Sequence, residues 1–141
     1  VKAVNPMIRK IVETCIYSSD LKSMKDFYVS TLGLRLIEES ERSVFLKAGK
    51  SMLLIFDPDI TRAEGHNMFP VHGAITPPAM VHFALEIEKE DYEYYKRVFI
   101  QNNIEIEKEI KLDKESKSLY FGDPAGNLVE VITKGEWPVE D

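Results

Sequence analysis

Three side chains able to hold a divalent ion recur at strand positions in this chain: Glu13, His82 and Glu130. An imidazole with two carboxylates is an oxygen-rich N/O donor set with no thiolate. It suits Mn, Fe, Ni, Co or Zn rather than Cu(I). Three protein ligands leave a coordination position open for substrate or water, as a catalytic site requires. Two carboxylates bring a bound divalent ion to zero net charge, which weakens it as a Lewis acid. A carboxylate that detaches is then available as a base. Glu13 and Glu130 are therefore candidate catalytic residues as well as ligands. His72, followed by Gly73, is a third catalytic candidate, titrating near neutral pH. Each residue also has a plainer reading. A lone glutamate on a strand usually faces solvent, a lone strand histidine is usually a hydrogen-bonded structural residue, and a loop histidine such as His72 or His66 is as often plain surface. Without a metal, Glu13 and Glu130 facing each other across a cleft would leave one carboxyl with a raised pKa, able to shuttle a proton.

The elements that must position these residues occur twice. Residues 11–17 alternate as a strand, placing Glu13 on one face with Cys15 and Tyr17. Ser19 or Asp20 caps a helix running to about Leu32, with Leu21, Met24, Phe27, Tyr28 and Leu32 on one side. Gly33 stands where a left-handed terminus is wanted. Short strands follow over 34–39, 43–47 and 51–56. The same order returns: a strand over 81–88 carrying His82, a helix over 89–102 with Tyr92, Tyr95, Val98 and Phe99 spaced for burial, Asn102-Asn103 in place of the glycine stop, and strands over 104–110, 118–121 and 128–132. Asp123-Pro124-Ala125-Gly126-Asn127 makes a tight turn. The distance between matching elements grows slowly along the chain, as loop insertions in a repeat produce.

Residues 57–80 hold four of the seven prolines and the histidines His66 and His72. So long a connection in a compact domain tends to be functional. It links the two halves and is expected to cross the cleft mouth. The expected organisation is one domain: a first module over about 10–57, a linker over about 58–80, a second module over about 81–133 and a tail over 134–141.

At 141 residues the chain can bury a real core. A net charge of −6 argues against nonspecific nucleic-acid binding, which needs a basic face. No stretch approaches the roughly 18 apolar residues that span a bilayer. No apolar segment at the start reads as a signal peptide. The single cysteine, Cys15, excludes an internal disulfide and fits a reducing compartment, so a cytoplasmic location is expected.

In order along the chain, Tyr17-Ser18-Ser19-Asp20-Leu21, Phe27-Tyr28, Leu32-Gly33-Leu34, His82-Phe83-Ala84-Leu85-Glu86, and Asp123-Pro124-Ala125-Gly126-Asn127 followed by Glu130 resemble the vicinal oxygen chelate superfamily, the glyoxalase/bleomycin resistance/dioxygenase group. The resemblance covers about residues 10–133. It implies an α+β fold of two βαβββ modules curling into a U-shaped, partly open mixed-sheet barrel. It also implies a homodimer and a divalent metal that a small substrate chelates through adjacent oxygens. Such folds serve glyoxalase I, epimerases, extradiol dioxygenases and fosfomycin-modifying transferases, while metal-free relatives bind drugs such as bleomycin.

Carried across residue by residue, the resemblance places ligands at Glu13, His82 and Glu130. Glu13 departs from the commoner histidine or glutamine. The fourth ligand of glyoxalase I would fall on Leu54, or on Leu53, so a four-ligand glyoxalase I is disfavoured. One histidine instead of two weighs against dioxygenase chemistry. A metal-dependent lyase or isomerase is the leading expectation. The alternatives are a metal-free ligand-binding protein of the bleomycin-resistance type and an extradiol-type dioxygenase. Candidate substrate contacts are Phe45 and Lys47 on one strand face, Arg42 beside them, Tyr120 matching Phe45 across the repeat, and Trp137 in the tail. For Lys47 and Tyr120, a solvated lysine and a core tyrosine are the more frequent roles. Phe45, Phe56, Phe69, Tyr120 and Trp137 could line an aromatic cleft.

Overall fold

The structure is a computed structural model and describes residues 10–64 and 81–139. Strands β1 (Glu13–Tyr17), β2 (Arg35–Glu39), β3 (Ser43–Ala48) and β4 (Ser51–Phe56) form one sheet in the order β1-β4-β3-β2. Strands β5 (His82–Ile87), β6 (Ile106–Lys111), β7 (Lys117–Gly122) and β8 (Leu128–Thr133) form a second in the order β5-β8-β7-β6. In each sheet the first strand runs parallel to the fourth and the other pairs are antiparallel. The α+β class and the paired βαβββ order expected from the sequence are present. The two mixed sheets form no closed barrel.

Helix α1 (Leu21–Lys25) starts on Asp20, whose carboxylate accepts from the Ser23 backbone N–H at 3.0 Å and the Ser23 hydroxyl at 2.7 Å. It continues as a wider π-helical turn over Asp26–Thr31. Gly33, at φ +76°, ends it. Helix α3 (Tyr92–Gln101) follows a 3₁₀ turn over Lys89–Asp91 and ends before Asn103, at φ 57°, so asparagine replaces glycine as the left-handed stop. A short helix, α2 (Pro58–Glu64), occupies the start of the long connection between the modules. Proline at its first position needs no N–H partner there. His66, Phe69 and His72 lie outside the described residues.

Strand alternation divides each sheet into a packed and an open face. Ile16, Val44, Leu46, Leu53 and Ile55 of the first sheet, and Leu119, Phe121, Val129 and Val131 of the second, are almost wholly buried in one continuous core. Each such side chain contributes roughly 1.5–3 kcal/mol of burial. The modules share this core through the first helical segment. The Phe27 ring lies 6.2 Å from Phe121, Tyr28 stacks at 6.3 Å on Phe83, and Phe99 reaches Phe121 at 4.4 Å. The first module's helix thus braces the back of the strands whose front carries His82 and Tyr120.

Candidate metal centre

Strand register sets which residues stand side by side on the open faces. In the second sheet His82 is opposite Leu128, and Ala84, Glu130 and Tyr120 form one row. Ser118, opposite Ile132, begins the next row. In the first sheet Glu13 is opposite Met52, and Cys15, Leu54 and Phe45 form the row equivalent to Ala84, Glu130 and Tyr120. Of the two leucines considered from sequence, Leu54 is therefore the structural counterpart of Glu130.

His82 and Glu130 come together. The imidazole Nε2 lies 3.5 Å from Glu130 Oε1. Its Nδ1 lies 3.0 Å from the Leu128 carbonyl oxygen. A carbonyl only accepts, so Nδ1 carries a proton, and Nε2 is turned toward Glu130. Glu130 is buried, and the Ser118 hydroxyl donates to its Oε2 at 2.6 Å. The Tyr120 ring stacks on His82 with centroids 6.0 Å apart. Burial chiefly, then the charge of nearby Glu130, hold the Tyr120 phenol above its ordinary pKa. Tyr120 thus stays neutral beside the carboxylate.

This arrangement fits a cation. Two donor atoms 3.5 Å apart are closer than twice a metal–ligand bond of about 2.1 Å. The outer atom of each is already fixed, by a carbonyl on the histidine and a hydroxyl on the carboxylate. Outer partners of this kind orient metal ligands and set the histidine tautomer.

Glu13 does not join them. Among the described residues, no group of three or more His, Cys, Asp and Glu side chains gathers to hold a metal. Glu13 is exposed at the start of β1, on the open face of the other sheet, and its charge is felt by Cys15. A groove of about 1020 Å³ runs along β5 past Lys50, Ser51, Glu86 and Tyr95, and neither His82 nor Glu130 lines it.

The other sequence candidates are spread out. Phe45 is half-buried and packs edge-on against Phe56 at 5.7 Å. Lys47 is exposed opposite Met52, two strands from Glu13. Arg42 is engaged by Glu64 of α2 at 2.8 Å and lies over the Phe56 ring. Trp137, 68% exposed, follows β8, and no ring contact among the described residues joins it to the pair. Ser118 was not singled out from the sequence. The signal was present: it lies two residues before Tyr120 on the strand that faces Glu130.

No helix among the described residues is long and apolar enough to cross a membrane. Over 90% of its length the chain is 27% identical to the metallothiol transferase FosB of Staphylococcus saprophyticus, covering 78% of that protein. The FosB of Staphylococcus epidermidis is 26% identical over 89% of the chain, with 82% of that protein covered. Among solved structures, a lactoylglutathione lyase from Agrobacterium tumefaciens superposes with a TM-score of 0.82 at 34% identity, covering 92% of this chain and 97% of that one. Residues 10–131 match the model of the Glyoxalase/Bleomycin resistance protein/Dioxygenase superfamily, and the chain belongs to that superfamily.

Proposed function

We propose that the protein is a metal-dependent lyase or isomerase acting on a small substrate with vicinal oxygens or an enolisable carbonyl. His82 and Glu130 would hold a divalent ion, with Glu13 as third ligand. The observation that carries this reading is the His82–Glu130 pair, each partner fixed from behind so that Nε2 and Oε1 converge. The ion would supply Lewis-acid stabilisation of a developing enolate or oxyanion. Ser118 donates to Glu130, and Tyr120 can orient a substrate oxygen beside it. Glu13, exposed and at the rim, is the base that can move a proton. His72 is kept as a second candidate for that role. Phe45 and Lys47 on the same open face as Glu13, with Arg42 and Trp137 near the ends of their strands, are the substrate contacts to test.

Because Glu13 stands apart from the pair within one chain, the complete site would be built in a homodimer, where one copy's first sheet faces the partner's second. The exposure of both Glu13 and His82 supports this. Metal analysis of the purified protein tests the ligands. Stoichiometric metal, lost in Glu130→Ala and His82→Ala, is expected, and a metal-free, chelator-insensitive protein would overturn the reading. Mixing inactive Glu13→Gln with inactive Glu130→Gln tests the sharing. Exchange of subunits should regenerate one intact site per mixed dimer, whereas a site within one chain would stay dead.

A second reading, thiol transfer at the same centre, is supported by the two FosB relatives, which match over about nine-tenths of the chain. Divalent-ion-dependent conversion of a thiol and a small oxygen-bearing electrophile into a stable thioether would separate it from a lyase or isomerase, which forms none.

A further inference from the structure

Behind the open face, one buried polar chain runs from the first module to the strand end that carries His82. The Tyr28 hydroxyl, wholly buried in the π-helical turn, donates to Asp123 Oδ2 at 2.8 Å. Asp123 is itself buried in the β7–β8 turn. Its Oδ1 accepts from the backbone N–H groups of Ala125 and Asn127, each at 2.9 Å, and its Oδ2 also accepts from Asn127 Nδ2 at 2.8 Å. Asn127 Oδ1 in turn accepts the Val81 N–H at 3.1 Å, and the Leu128 N–H donates to the Val81 carbonyl at 2.9 Å. The next residue on each strand completes the sequence: His82 on β5 and Leu128 on β8 are register partners, and the Leu128 carbonyl takes the imidazole Nδ1–H.

We propose that Tyr28 is a positioning residue for His82: through Asp123 and Asn127 it fixes the start of β5 against β8, and with it the carbonyl that sets the imidazole's tautomer and direction. The physical reason is the charge on Asp123. A buried carboxylate needs its acceptor sites filled, and four donors meet it here. Three come from its own turn. Among the described residues only Tyr28 comes from the other module, and it ties the turn to the helix packed behind Phe83 and Phe121. Removing that one donor leaves the carboxylate short of a partner, free to turn toward solvent and to carry Asn127 with it. The neighbouring Leu128 carbonyl then loses its fixed place. The wide π-helical turn serves this link, because it sets Phe27 and Tyr28 side by side against the second module. Such turns are frequent at functional sites.

The inference rests on the metal-pair reading for its affinity arm alone. The test is Tyr28→Phe, which keeps the packed ring and removes the donor. Nitrogen-15 spectra of metal-free protein, taken about two units above the ordinary imidazole pKa of ~6.5, report the tautomer, with His82 assigned by its loss in His82→Gln. The wild type should show one protonated and one bare ring nitrogen. In Tyr28→Phe the two signals should move toward each other, and zinc affinity should fall about tenfold, the scale for loss of an outer partner. Asp123→Asn, which breaks the same chain at its centre, should do likewise and decides the matter if Tyr28→Phe does not fold. Unchanged His82 nitrogen signals in the folded variant, whatever happens to its melting temperature, would overturn the inference. A wild type that binds no zinc would remove the metal reading and leave the tautomer result standing.

Discussion

The two sheets share one register but not one chemistry. Glu13 and His82 occupy matching positions, as do Leu54 and Glu130, Phe45 and Tyr120, and Ser43 and Ser118. In the second sheet this set is a polar network closed around a buried carboxylate. In the first it is half-buried leucine and phenylalanine, and Ser43 turns to Ser40 at 3.1 Å instead. A buried charge survives only where donors surround it. The second module holds carboxylate and donor together. The first has leucine in place of the carboxylate and carries one exposed carboxylate, Glu13, at its strand end.

The comparison breaks most completely if the second module is given the first module's residue. Glu130→Leu should abolish metal binding, a loss of more than about 100-fold, above the 10–100-fold typical of an outer partner. It should also destabilise the protein by about 1–3 kcal/mol, because the buried Ser118 hydroxyl is left unpaired. Adding Ser118→Ala removes that hydroxyl and should restore most of the stability without restoring the metal. Metal stoichiometry and chemical denaturation of the single and double variants check both halves. A Glu130→Leu protein that still binds metal would show that the centre lies elsewhere.

The reverse exchange sharpens the point. Leu54→Glu supplies a carboxylate at the equivalent place, but Ser43, the counterpart of Ser118, is already paired with Ser40, and Phe45 stands where Tyr120 does. A stability loss of about 1–3 kcal/mol is expected. The loss should shrink as pH falls, because the folded state holds the proton more tightly than the unfolded chain and protonation relieves the cost. Denaturation at acidic and neutral pH measures the difference, and a loss that grew with acid would contradict it.

These exchanges also mark what was legible in the sequence. The doubled order of elements, the Asp20 cap and the Gly33 stop rest on local periodicity and turn chemistry, and the structure has each of them. The match of Phe45 with Tyr120 was readable because strand alternation is strict, and register alone decided Leu54 over Leu53. What could not be read is which open face meets which. That depends on packing between modules or copies, and single-strand patterns carry no information about it. Arg42 shows the same limit: its partner Glu64 sits on a helix that begins with Pro58, in a stretch read as linker. The Tyr28–Asp123 bond joins residues far apart in sequence and has no local signature.

A smaller effect separates the two matching serines. Ser118→Ala should weaken metal binding about tenfold, because Glu130 Oε2 loses its donor and the carboxylate can rotate. Ser43→Ala, which removes a hydroxyl paired only with Ser40, should leave metal affinity unchanged. Titration calorimetry on both variants makes the comparison, and equal effects would mean that Ser118 acts through general packing.

The smallest expected effect concerns the row's remaining pair, Cys15 and Ala84, which occupy equivalent places in β1 and β5. Burial first, and the Glu13 charge second, raise the Cys15 pKa above 9.0. The thiol should therefore alkylate more slowly than a free cysteine at neutral pH and gain reactivity only as pH climbs past that value. The sign for stability follows: the folded state binds this proton more tightly, so the contribution is complete below pH 9.0 and lost as pH rises through the folded value. Glu13→Gln should speed alkylation only a few-fold, since burial remains. A thiol introduced by Ala84→Cys in a Cys15→Ser background meets a different field. Ala84 is exposed, and the charge of neighbouring Glu130 is already engaged by Ser118. That thiol should react faster than Cys15. If it reacts more slowly, the Ser118 hydroxyl does not offset the Glu130 charge as the geometry indicates.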